Sequence, residues 1–201
     1  MIDLDDIRGE LFERLTFERY SHTLGVENTA LSLAEILCPE SVLNVQAAAL
    51  LHDVAKEIPY EEQIKLIEEF GLIVTDEDLT VAPGLHAICG VAIIMRDFLF
   101  CANKDVLSAV YKHCVGDSRM SLIDKIIYIS DYIEPSRTFD AAIELRQELL
   151  CDLSQISKTD LLKKLDCAVL SAATATVENL RKNNRHVHSR TLRMIEVFEG
   201  L

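Results

Sequence analysis

Apolar residues in this chain recur at intervals of three and four, and that period limits what the chain can fold into. From Ser21 to Leu37 they fall at Val26, Ala30, Leu33, Ala34 and Leu37, one face of a helix that must stop before Pro39. A second helix is expected from Leu43 to Lys56, apolar nearly all round and therefore central. "YEEQIKLIEEFG" reads as an exposed helix closed by Gly71, and residues 74 to 84 as a polar connector ending in "APG". Further helices are predicted at His86–Leu99, Asp105–Cys114, Ser121–Glu134, Ala141–Leu150, Thr159–Lys182 and Ser189–Phe198. No run alternates convincingly as a strand would. With 201 residues, 49% hydrophobic, and only 7 Gly and 4 Pro, the chain supports one sizeable core. The reading is all-α, a single helical bundle spanning residues 1–201.

Charge and cysteine usage narrow the function. Twenty basic against 33 acidic residues give a net charge of −13, which argues against non-specific binding of nucleic acid or an anionic membrane. The start "MIDLDDIRGE" is acidic where a signal peptide would be basic and then apolar, and the apolar windows are too short to span a bilayer. A cytoplasmic location is expected. Cys38, Cys89, Cys101, Cys114, Cys151 and Cys167 include no C-x-x-C pair, so they are expected to be reduced, buried thiols and not zinc ligands.

The polar residues within these apolar helices carry the chemistry. In "AAALLHDVAKEI", His52 and Asp53 interrupt the most apolar helix, and Asp131 does the same in "KIIYISDYIEP". An ionised carboxylate in a low-dielectric interior is prohibitively costly without a cation or several donors. His22, His86 and His113 also lie within helical segments. Any one of these histidines alone has an ordinary reading as a hydrogen-bonded core residue. Four imidazoles and two carboxylates together point to a shared divalent metal centre, which takes neutral imidazole nitrogen and carboxylate oxygen as ligands. Lys56 follows Asp53 by three residues and His52 by four, where its ammonium would hold an anionic ligand beside the metal; its ordinary reading is a solvated helix-end lysine. Gly25 and Gly116 each follow a histidine by three residues, permitting close approach, although Gly116 also reads as a helix cap.

The stretches "RYSHTLGVENTA", "LLHDVAKEI", "GLHAICGV", "VYKHCVG" and "MSLIDKIIYISDYIEPSR" together resemble the HD-domain superfamily of metal-dependent phosphohydrolases, specifically the YqeK family of symmetrical bis(5′-nucleosyl)-tetraphosphatases. The resemblance implies an HD-type helical bundle with its metal-binding core over about residues 19–137 and C-terminal helices, 138–201, packed on it. It implies two divalent ions, iron with manganese as the alternative. His22, His52, Asp53 and Asp131 would ligate one, and His86, His113 and a bridging Asp53 the other. It implies hydrolysis of diadenosine tetraphosphate to two ADP by a metal-activated water, with Asp53 and Lys56 assigned to catalysis and Lys56, Arg119 and Arg137 to substrate binding. The run "HCVGDSR" departs from the family's usual His-Thr followed by Gly-Arg, an insertion-like change before Arg119. Tyr20, Tyr128 and Tyr132 are candidate base stackers that also read as core or rim.

Two other readings use the same residues. One is a different HD-type phosphohydrolase acting on nucleotides, though the absence of "GYP" speaks against a cyclic-dinucleotide substrate. The other is a non-catalytic metal-binding regulatory module. The expected partner is a dinucleoside polyphosphate or other nucleotide, with no nucleic acid and no membrane. Oligomeric state is open, a homodimer included.

Overall fold

The computed structural model describes residues 2–80 and 82–200 and is helical throughout, with no strand among the described residues. The helices are α1 Leu4–Arg14, α2 Phe17–Leu37, α3 Val42–Leu51, α4 Tyr60–Glu69, α5 Asp76–Thr80, α6 Ala82–Asp97, α7 Lys104–Lys112, α8 Leu122–Ile133, α9 Asp140–Leu150, α10 Lys158–Lys182 and α11 Ser189–Glu199. The α3 helix forms the centre, packed against α2 and α7, and α8 contacts all three. Its residues Ala47, Ala48, Ala49, Leu50 and Leu51 are fully buried. Small alanines let the neighbouring helices approach, which is why this stretch is apolar all round. The α6 helix leans on α7 and α4, while α10 covers α8 and carries α9 and α11.

Side chains at the helix starts explain several boundaries. Asp3 caps α1 by accepting from the backbone N–H groups of Asp5 and Asp6, so the acidic N-terminal run is a helix start. This helix was not anticipated. Ser121 and Asp124 form a reciprocal capping box on α8. At the end of α4, Gly71 adopts φ +61°. Its N–H bonds Glu68 O and that of Leu72 bonds Ile67 O, both at 3.0 Å, the Schellman pattern the sequence suggested.

Three expectations need correction. The central helix stops at Leu51 and does not run to Lys56. Beyond it the chain makes tight turns, with Val54 N–H to Leu51 O at 3.2 Å and Lys56 N–H to Asp53 O at 2.9 Å. The connector over 74–84 contains α5 and the start of α6; Val81, also assigned to it, lies outside the described residues. Asp78 accepts from the N–H and hydroxyl of Thr75 at 2.9 and 2.6 Å, a local exchange that turns a polar stretch into a helix start. Finally, Cys38, Cys89 and Cys101 are buried as expected, but Cys151 and Cys167 are exposed and Cys114 is intermediate.

Candidate metal centre

Four helix ends and faces converge beneath α2. His22 comes from α2, His52 and Asp53 from the turn after α3, His86 from α6, His113 from the end of α7 and Asp131 from the last turn of α8. The four imidazoles and Asp53 are buried, while Asp131 keeps 22% of its side chain exposed, enough to face an opening. All six predicted ligands are therefore brought together.

The helix terminations orient the rings. Nδ1 of His52 donates to Ala49 O at 2.6 Å, and Nδ1 of His113 to Val110 O at 2.7 Å, each a carbonyl three residues back at the end of its own helix. Since a carbonyl only accepts, the proton sits on Nδ1 and the Nε2 lone pair points into the site. His22 is set the same way by a carboxylate, its Nδ1 lying 3.0 Å from Glu134 Oε1. The result crowds lone pairs: His52 Nε2 is 3.3 Å from His22 Nε2, and His86 Nε2 is 3.1 Å from His113 Nε2.

Asp53 lies at the middle of this array. Its Oδ1 is 3.0 Å from His86 Nε2 and 3.5 Å from His113 Nε2, and its Oδ2 is 3.6 and 3.8 Å from Nε2 of His52 and His22. Yet Oδ1 is buried without a hydrogen bond of acceptable geometry. Asp131 Oδ1 is 3.1 Å from His22 Nε2 and 3.9 Å from His52 Nε2. An orphaned carboxylate oxygen facing lone pairs fits divalent cations, which satisfy both at once. Ligand atoms of His22, His52 and Asp53 lie within 4.8 Å of one another, and so do those of His86, His113 and Cys114, so that either group could hold a metal. Cys114 was not among the predicted ligands. Burial raises its thiol pKa, and Asp53 Oδ1 approaches the same two imidazoles, at 3.0 and 3.5 Å.

Burial holds His52 and His86 in the neutral form that ligation requires, while His22 is shifted the other way. Burial pushes His52 and His86 down to about 4, leaving both rings neutral. For Asp53, burial is outweighed by His52, His113, His86 and Lys56, which hold its carboxyl well below the usual range. Asp131 is likewise lowered, against its burial, by the hydrogen bond with His22 and the charge of Arg137. Burial opposes protonation of His22, but hydrogen bonds to Asp131 and Glu134 prevail and raise its pKa.

The surrounding cations are partly those expected. Lys56 Nζ is 3.6 Å from Asp53 Oδ1 and 3.3 Å from His86 Nε2, although the helix assumed to place it there is absent. Arg137 Nη2 is 2.7 Å from Asp131 Oδ1, and its Nε donates to the carbonyl of Asp131. Arg119 is exposed on the loop before α8 and its guanidinium bonds nothing in the cluster among the described residues; only its backbone is engaged, by Lys112 and Asp117. Tyr20 packs edge-on against Phe12, whereas Tyr128 and Tyr132 line a cavity that reaches Asp131.

Two participants went unassigned in the sequence. Arg19 Nη1 is 2.6 Å from Asp53 Oδ2, and its position one turn before His22 on the same helix face was the available signal. Glu134 is 1% exposed and Ser136 donates to both of its oxygens. A buried glutamate before Pro135 was the corresponding signal. Gly25 is explained by the same residue, because a Cβ there would stand 2.7 Å from Glu134 Oε2. His186 and His188 lie outside the cluster; they pair with Glu77 and Asp78 and tie α5 to α11.

Comparison with known proteins finds relatives of this chain in both sequence and fold. The HD domain family matches residues 19–136. The chain is 34% identical over 180 residues, 89% of its length and 87% of the relative's, to the symmetrical bis(5′-nucleosyl)-tetraphosphatase of Halalkalibacterium halodurans. It is 38% identical over 146 residues, 71% of this chain and 75% of the relative, to that of Bacillus subtilis. A crystal structure from Clostridium acetobutylicum, described as a predicted HD superfamily hydrolase involved in NAD metabolism, superposes with TM-score 0.85 at 31% identity, covering 100% of this chain and 98% of that one.

Proposed function

This chain belongs to the HD-domain family, and from that premise we propose that it is a metal-dependent hydrolase that cleaves diadenosine tetraphosphate symmetrically into two ADP molecules. One observation carries the reading: four imidazole Nε2 atoms converge within 3.8 Å of the buried Asp53 carboxylate. The similarity to symmetrical bis(5′-nucleosyl)-tetraphosphatases supplies the substrate.

On this reading His22, His52, Asp53 and Asp131 would hold one divalent ion, and His86, His113 and the shared Asp53 a second. Iron is the expected metal and manganese the alternative, since both suit mixed imidazole and carboxylate ligands. Such a pair, when bound, activates water and neutralises charge around phosphorus. The protein's own contribution is to fix the ligands and bind the chain of phosphates. Backbone carbonyls and Glu134 lock three rings in one tautomer, so little reorganisation is needed on binding. Lys56, Arg19 and Arg137 offset the charge of a polyphosphate that a protein at −13 would otherwise repel. No side-chain nucleophile is required, and the ADP leaving group is stable enough to depart without a dedicated acid.

The test uses purified protein loaded with Fe²⁺ or Mn²⁺. Elemental analysis is expected to give two metals per chain, and incubation with diadenosine tetraphosphate to give ADP alone. Formation of AMP with ATP, or no turnover, would overturn the proposal. NAD serves as the control substrate because of how the Clostridium acetobutylicum neighbour is described.

A further inference from the structure

The turn after α8 supplies two side chains to the candidate centre, and a residue of α9 holds that turn from outside. Within 134–137 the N–H of Arg137 donates to Glu134 O at 3.0 Å, with Pro135 at the second position of the turn. From this turn Glu134 reaches His22 Nδ1 at 3.0 Å, and Arg137 reaches Asp131 Oδ1 at 2.7 Å. Arg146 on α9 gathers the backbone of the same turn. Its Nε donates to Ile133 O at 2.5 Å, and its Nη2 to Glu134 O and Arg137 O, both at 2.7 Å.

A helix end leaves carbonyls such as those of Ile133 and Glu134 without partners inside the helix. A guanidinium suits them, because its donors are fixed in a planar fork and its charge complements the negative end of α8. The α9 helix buries Ala142, Leu145 and Leu149 and packs on α10 and α8, so its docking has an apolar basis apart from Arg146. What the arginine adds is a fixed course for the backbone between the two site residues. Releasing the three carbonyls lets the turn shift, and Glu134 and Arg137 shift with it. We propose that Arg146 is a positioning residue, which sets metal affinity through Glu134 and substrate affinity through Arg137 although its own bonds are to backbone. The inference rests on the proposed reading of the centre as a metal-dependent tetraphosphatase.

The experiment compares the parent chain with Arg146→Lys, which keeps the charge but replaces the fork by a single ammonium, and with Arg146→Met, which removes every bond while keeping the stem. Helicity and thermal midpoint are recorded for each. Metal affinity comes from calorimetric titration with Mn²⁺, and KM and kcat on diadenosine tetraphosphate from assays at saturating Mn²⁺. Arg146→Lys is expected to weaken metal binding by about tenfold, the lower end for loss of a ligand's outer support. It should also raise KM by more than it lowers kcat. Arg146→Met should exceed it on both counts, and a Met variant no worse than the parent overturns the inference.

Paired substitutions separate positioning from a purely structural tie. In a Glu134→Gln background the Lys change should add nothing further to the loss of metal affinity, and in Arg137→Ala nothing further to the rise in KM. Full additivity in either pair, or a lower thermal midpoint with both affinities unchanged, overturns the inference and leaves the broader reading intact. A parent chain that binds no manganese, or binds it without releasing ADP, sinks the broader reading and the inference with it.

Discussion

Glu134 Oε1 accepts a hydrogen bond from His22 Nδ1 at 3.0 Å, across 112 residues of chain. It joins the end of α8 to the second turn of α2 and turns the other ring nitrogen of His22 toward Asp53 and Asp131. Partners of this kind set the tautomer and basicity of a ligand they do not replace.

Replacing Glu134 with Gln keeps the shape and removes the charge. The amide can still accept from Nδ1–H, but it no longer strengthens the imidazole as a donor. Metal affinity, measured by calorimetric titration, is expected to fall about 10- to 100-fold with helicity unchanged. Unaltered affinity would show that the His22 contact has no part in metal binding.

Asp53→Ala removes the carboxylate that all four rings approach. Activity on diadenosine tetraphosphate is expected to drop by ~10³-fold or more, the equivalent of several kcal/mol of transition-state stabilisation. Metal content by elemental analysis should fall in parallel. A folded variant that retains both ions and turnover would contradict the assignment of Asp53 as the shared ligand.

Gly116 follows the His113 turn with φ +69°, and a Cβ there would overlap the end of the Met194 side chain. The thioether can swing away, but the left-handed backbone cannot be relieved. Gly116→Ala should therefore destabilise by roughly 1–2 kcal/mol, seen as a lower thermal midpoint. An unchanged midpoint would mean the loop adjusts at no cost.

Glu77 on α5 accepts from Ser189 and pairs with His186, contacts that hold its carboxyl down to about 2, against an ordinary 4.5. Because the folded state binds the proton less readily, the clasp contributes fully above pH 4.5 and is lost as pH falls toward 2. In chelator, the thermal midpoint of Glu77→Gln should trail the parent at pH 6 and converge with it across that interval. A constant gap would place the effect elsewhere.

The helical period, the stops at Pro39 and Gly71 and the anomalous His52, Asp53 and Asp131 are local properties of the chain, and they determined by themselves an all-helical fold and pointed to six candidate ligands. An apolar period reports which face is buried, and a carboxylate within it reports a missing partner, whatever that face packs against. Which cations and supports surround the ligands was decided by tertiary structure. Arg19 reads as a surface helix residue until α3 ends at Leu51 and the following turn brings Asp53 to 2.6 Å from it. Arg119, close to His113 in sequence, stays outside because its loop leads into the capping box of α8. Glu134 acquired its role only when α8 packed on α2, since a hydrogen bond between residues so far apart has no signature in either segment alone.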